Sequence, residues 1–308
     1  MLRIAHKQDH RPGLDVYFRS DALRTSLFSV SRLQFRGALW DEFSLDPTDK
    51  SLDWFALRIN LLGRVRVENP SIGHEFASGT VFLGQGFPSV RMRAAPEHGR
   101  NSDLLALAIR RPRGHGPVGV TSTYVASRAV LEAARLVAEG LEHEPNDAVL
   151  ADRVCMLATM LQVDGIAHFH PQQMRAVMQE PHAAADREFA KVHERVLFPL
   201  SRHPGMVDIA RELGVGERQA NRRASQYFER YHVVNYGWQD YVSASRLTMA
   251  SMLASVPGLP TRTIATLSGF RSASSLCHAF RLAQWHSPQL VGEALRSGDG
   301  LRVLLKAR

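Results

Sequence analysis

Cysteine is nearly missing from this chain. Cys155 and Cys277 are the only two in 308 residues, and neither belongs to a Cys-x-x-Cys pair. A disulfide framework, a thiolate zinc site and a dithiol redox motif are thereby excluded, and two plain thiols suit a reducing compartment. Long apolar runs are also absent. The longest, "LLALAI" at Leu104 to Ile109, falls far short of the roughly 20 residues that span a bilayer, and "MLRIAHKQDHRPG" at the start has no signal-peptide apolar region. A cytoplasmic protein that leaves membranes alone is expected. Catalytic signatures are equally scarce, with no serine-nucleophile motif, phosphate-binding glycine loop or paired carboxylate cluster. Metal ligands are sparse too: the β-rich part offers His74 with Glu75 and His98 with Glu97. "HFH" at His168 to His170 sits in helical sequence, where i and i+2 do not share a face. No metal, cofactor or enzymatic activity is expected.

What is present is an ordinary soluble composition, 44% hydrophobic and 22% charged, in a chain long enough for two domains. The formal net charge is +8, and it is unevenly spread. From Leu200 onward there are 14 Lys and Arg against 7 Asp and Glu, so nearly all of the excess lies in the last third. Positive charge confined to one region is the footprint of a polyanion partner, because neutralising phosphates releases condensed counterions; a solvated basic face is the plainer alternative.

Residues 1–115 read as β-rich. In "WFALRINLLGRVRVEN", Leu57, Ile59 and Leu61 alternate with Arg58 and Asn60, and the chain passes Gly63 into Val65 and Val67 alternating with Arg64 and Arg66. That pattern predicts a hairpin. Further short strands are punctuated by Gly79, Gly84, Gly86 and Pro88, as in a small barrel or sandwich. Arg58, Arg64, Arg66, Arg91 and Arg93 would suit an anionic effector if they pointed inward, but arginine on half-buried strands is expected to face solvent. From 116 to 180 the apolar period changes to near 3.6. Asn146 is placed to cap a helix in which Leu150, Val154, Leu157 and Leu161 form one stripe. That stripe must be buried, either on the barrel or as the interface of a homodimer. The break "QEP" at Gln179 to Pro181 opens a final unit, 181–308, that reads as entirely helical.

Within that unit, "IARELGV" at Ile209 to Val215 returns as "IATLSGF" at Ile264 to Phe270. A helix-turn-helix needs a small residue where its helices cross and a residue tolerant of positive φ in its turn. Ala210 with Gly214 and Ala265 with Gly269 meet both demands. After the first turn, Arg218, Asn221, Arg222 and Ser225 share one helical face, and Arg and Asn can pair bidentately with guanine and adenine in the major groove.

These residues carry a resemblance. Ile209 to Ala224, Arg246-Leu247 with Ala250 and Leu253, Gly269-Phe270, Ala279-Phe280-Arg281 and Ser287-Pro288 are similar in order and spacing to the C-terminal domain of AraC/XylS-type transcriptional regulators, over about residues 183 to 291. The chain departs from that family at Ala220 and Ala224, where Leu and Phe are usual, at His278 in place of Arg or Lys, and at Gln284 and Trp285 in place of Phe and Gly. The resemblance implies two helix-turn-helix units on one connecting helix, entering adjacent major grooves roughly 34 Å apart. It places Ala273, Ser274, Cys277 and His278 on the second DNA-facing surface. More loosely, "LRINLLGRVRVENPSIGHEFASGTVFLGQG" is similar to the cupin-like sensing barrel that many such regulators carry. The expected fold is therefore α+β: a cupin-like β-barrel with a helical segment, followed by an all-α domain with two helix-turn-helix units. The expected function is a sequence-specific transcriptional regulator, an activator controlled by a small-molecule effector or a partner through the N-terminal domain, with double-stranded DNA, RNA polymerase and a second copy of the chain as partners. The alternative is a regulator acting by protein contacts through a degenerate helix-turn-helix domain.

Overall fold

The structure is a computed structural model, and it describes residues 2–8, 17–36, 40–42, 54–69, 72–85, 91–95, 102–110, 122–166, 170–180, 184–197, 205–231, 237–283 and 285–297. Strands come first and helices afterwards, which makes the fold α+β. Two antiparallel sheets hold the eleven strands of the described residues. The larger runs β1 (Leu2–Gln8), β2 (Tyr17–Arg24), β3 (Phe28–Arg36), β10 (Ser102–Arg110), β5 (Trp54–Leu62), β8 (Thr80–Gln85) and β11 (Ser122–Val125). The smaller runs β4 (Trp40–Glu42), β9 (Arg91–Ala95), β6 (Arg64–Asn69) and β7 (Ile72–Phe76). Division of an antiparallel chain between two sheets is the arrangement of the jelly rolls to which cupins belong.

The hairpin expected around Gly63 does not form. β5 pairs with β10 and β8, whereas β6 pairs with β7 and β9, so Gly63 (φ 93°) is the corner at which the chain leaves one sheet for the other. Asn60, fully buried, fixes that corner: its side-chain amide donates to the Gly63 carbonyl at 2.9 Å, and its own carbonyl accepts from Gly79 N–H at 2.7 Å. Arg58 is also a correction. It is 7% exposed rather than solvent-facing, Arg64 is exposed as expected, and the side chains of Arg66, Arg91 and Arg93 lie outside the described residues, as do those of His74, Glu75, Glu97 and His98.

Three helices cover one face of the larger sheet: α1 (Arg128–His143), α2 (Asp147–Val163) and α3 (Pro171–Gln179). Asn146 caps α2 as expected, its side-chain oxygen accepting from Ala148 N–H at 2.9 Å. The stripe Leu150, Val154, Leu157 and Leu161 is at most 1% exposed within the single chain. It shares a core with Leu57 and Ile59 of β5, Leu105 and Leu107 of β10 and Val137 of α1. These four residues, buried within one chain, are not a free surface for a second subunit; they seat α2 in the core that α1 shares with the sheet, each contributing about 1.5–3 kcal/mol on leaving water. The dimer interface assigned to them is withdrawn. A charged network closes the same junction. Arg32 of β3 donates to Asp103 of β10 at 2.6 Å and to Glu142 of α1 at 2.8 Å, while Arg19 of β2 binds Asp21 and Glu142. Burial pushes the Asp21 carboxyl above its usual range, against the opposing pull of Arg19.

A second buried cluster joins α4 (Ala184–Leu197), α5 (Met206–Leu213), α6 (Glu217–Arg230), α7 (Trp238–Ala254), α8 (Thr261–Leu267), α9 (Ala273–Leu282) and α10 (Pro288–Ser297). At one end Phe189, His193, Tyr227, Phe228, Trp238 and Tyr241 pack ring against ring, with His193 centred 5.0 Å from Tyr241 and 5.7 Å from Trp238. At the other, α10 lies so close to α7 that a Cβ on Gly292 would fall 2.0 Å from the Ala254 carbonyl oxygen. Ala22 of β2 belongs to this helical cluster, whereas its neighbour Leu23 belongs to the sheet cluster. Successive strand residues face opposite ways, so one strand serves two cores. No described helix is long and apolar enough to cross a membrane.

Candidate nucleic-acid interface

Each helix-turn-helix is built by the same local chemistry. Gly214 (φ 63°) and Gly269 (φ 80°) take the left-handed conformation that their turns require. The bonds behind them repeat in kind: Val215 N–H donates to Ala210 O at 3.0 Å and Phe270 N–H to Ala265 O at 2.8 Å. Gly214 N–H donates to Arg211 O at 3.2 Å, and Gly269 N–H to Thr266 O at 3.3 Å. Ile209, Ala210, Ile264 and Ala265 are buried where the helices cross.

Beyond the glycines the two units diverge by one residue. Only Val215 separates Gly214 from the N-cap of α6, Gly216, whereas Phe270 and Arg271 separate Gly269 from the N-cap of α9, Ser272. Ser272 Oγ accepts from Ser275 N–H at 3.1 Å while Ser275 Oγ accepts from Ser272 N–H at 3.0 Å, a reciprocal cap that sets the register of α9. Counted from the caps, Arg218, Asn221, Arg222 and Ser225 correspond to Ser274, Cys277, His278 and Arg281. Ala273 corresponds to Glu217, at the edge of the face. Sequence reasoning included Ala273 and missed Arg281; the Ser-x-x-Ser cap is the signal that would have found it.

The outer faces are accessible. Arg218, Asn221 and Arg222 are exposed and Ser225 is half-buried; Ser274, Cys277, His278 and Arg281 are exposed and Ala273 is half-buried. The inner faces differ in how they fill space. Ala220 and Ala224 of α6 and the corresponding Leu276 and Phe280 of α9 are all fully buried in the one cluster; aromatic rings of α4 and α7 lie in it at the first unit, and Phe280 stands edge-on to Trp285 at 5.1 Å at the second. The departure at Ala220 and Ala224 is thus an exchange of large residues between elements.

Charge separates the arginines of this unit into two sets. Arg211 pairs with Asp208 at 3.2 Å, Arg223 with Glu188 at 3.3 Å, and Arg230 with Asp186. Asp186 also accepts from Tyr231 Oη at 3.1 Å, and burial together with that carboxylate pushes the Tyr231 phenol up to about 12. Arg187, Arg218, Arg222, Arg246, Arg262, Arg271, Arg281 and Arg296 have no carboxylate partner among the described residues. Arg281 instead donates through Nη2 to His278 Nδ1 at 2.8 Å. Guanidinium has only donors, so Nδ1 must accept and the ring presents an Nε2–H outward. Among the described residues, no group of three or more His, Cys, Asp or Glu is placed to hold a metal ion.

No family profile matches the chain, and no curated protein does. Among solved structures, the chain is similar to ToxT from Vibrio cholerae, at 13% identity over 90% of this chain and 97% of that one, with a TM-score of 0.34. It is similar to the AraC-like transcriptional activator CuxR at 14% identity over 74% and 80%, also at 0.34. KdgF from Halomonas sp. covers 35% of this chain at 17% identity and a TM-score of 0.25. None of the three is close enough for its fold or activity to carry over to this chain.

Proposed function

We propose that the protein is a DNA-binding transcriptional regulator in which 181–308 contacts double-stranded DNA and the sheet with its covering helices, 1–180, receives the controlling signal. One observation carries this: two helix-turn-helix units of matching hydrogen-bonded construction each turn an exposed polar face outward, with Arg218 and Arg222 on one and Arg281 on the other left without carboxylates. Arg211, Arg223 and Arg230 of the same unit are neutralised. Guanidinium groups without a carboxylate on a helix face fit phosphate and guanine better than they fit solvent alone. A small-molecule effector acting on the N-terminal unit, activation through RNA polymerase and assembly as a homodimer complete the proposal. The test is binding of the full chain to fluorescent duplex DNA as NaCl is raised. Affinity must fall steeply and linearly on logarithmic axes. A folded protein that ignores duplex DNA at low salt would overturn the proposal in favour of a regulator acting through protein contacts.

A further inference from the structure

α9 carries only two large polar side chains, and they are bonded to each other. His278 and Arg281 are both exposed, stand three residues apart on one face, and are joined by the 2.8 Å bond from Arg281 Nη2 to His278 Nδ1. Leu276 and Phe280, fully buried on the inner face, and the reciprocal cap of Ser272 and Ser275 fix the helix that holds the pair. An exposed pair of this kind adds little to the stability of a helix. Its effect is on the ring. An imidazole that accepts on Nδ1 carries its proton on Nε2, so it offers a single directional donor with no formal charge. Only an acceptor can meet that group. A lone N–H cannot make the bidentate contact that identifies a base, and its strongest partner on a duplex is an anionic phosphate oxygen.

We propose that Arg281 is a positioning residue for His278: by donating to Nδ1 it holds the ring so that Nε2–H donates to a phosphate oxygen of the DNA backbone. The assignment rests on the DNA-binding role proposed above. Released from Arg281, the ring turns about its own bonds and moves its proton between the two nitrogens, so that a share of encounters brings a lone pair instead of a donor to the phosphate. Arg281 acts on affinity through this ring as well as through its own charge. The two contributions are separable, because a neutral donor displaces no counterion and a cation does.

The test uses the full chain and a mixed-sequence duplex of about 30 base pairs, with binding followed by fluorescence anisotropy over a NaCl series. His278→Ala should weaken binding about tenfold, the size of one hydrogen bond to a charged acceptor, at an unchanged logarithmic salt slope. Arg281→Met should weaken it at least as much, and adding His278→Ala to that variant should cost less than about twofold more. Arg281→Lys keeps a donor three residues away, and His278→Ala in that background should again cost several-fold. Nitrogen-15 spectra of the wild-type ring should show the proton on Nε2. Equal effects of His278→Ala with and without Arg281, or no effect in either, would overturn the positioning role and spare DNA binding, as would a proton on Nδ1. A salt slope made shallower by about 0.9 in His278→Ala would show a charged ring and overturn the neutral donor. A His278→Ala protein that selects different bases from randomised duplexes would move the acceptor to a base edge and overturn the phosphate assignment. A wild type that binds no duplex overturns both the assignment and the role it rests on.

Discussion

The two helix-turn-helix units share a turn and differ in almost everything attached to it. α6 carries small residues inward and long cationic ones outward; α9 carries Leu276 and Phe280 inward and Ser274, Cys277 and His278 outward. A scaffold fixed by a glycine and two backbone bonds leaves the chemistry of both faces free, so one copy can specialise in recognition while the other is anchored by its surroundings. The comparison breaks first at the core. Phe280→Ala should cost about 3–5 kcal/mol of stability, since the ring is fully buried against Trp285. Denaturant unfolding followed by helical circular dichroism measures this; a loss under about 1 kcal/mol would show that the site collapses.

The matching change in the first unit runs the other way. Ala224→Phe restores the larger residue but meets a space already occupied by Tyr227, Phe228 and their neighbours, and should destabilise by about 1–3 kcal/mol. A stabilised variant would mean that the aromatic cluster leaves a void. On the outer faces, Arg222→Ala should relax base preference in one half of the site by about 1–3 kcal/mol, whereas His278→Ala should weaken binding without changing which bases are chosen. Selection from randomised duplexes at one salt concentration distinguishes them, and the opposite pattern would reverse the assignment of the reading helix. The smallest effects belong to the caps. Ser272→Ala should cost about 1 kcal/mol, while Gly216→Ser should gain a few tenths, and equal responses would show that the caps do not differ as their hydrogen bonds imply.

Features decided within a few residues were legible in the sequence. The positive φ of Gly214 and Gly269, the Asn146 cap and the exposure of Arg218, Asn221 and Arg222 all follow from local sterics and helical periodicity. Features decided by what lies across the fold were not. An apolar stripe looks the same whether it meets the core of its own chain or a second subunit, and Leu150 to Leu161 lie in the core of their own chain. Alternation through Gly63 looks the same in a hairpin and at a corner between sheets, because either uses a glycine with positive φ. Arg281 was missed because the two copies keep step as far as Phe270 and then slip by the single residue Arg271. Arg58, expected in water, lies buried on a central strand.

The double service of β2 bears on how the protein comes apart. A domain linked only by a flexible tether can melt while its neighbour stays intact, and each then gives its own calorimetric peak. Here Ala22 and Leu23, adjacent in the chain, are sealed into different cores. Peeling β2 away strips both bodies at once, and sliding it by one residue would present each core with the side chain meant for the other. The strand works as a rivet with two heads, and heat should release both halves in one cooperative step.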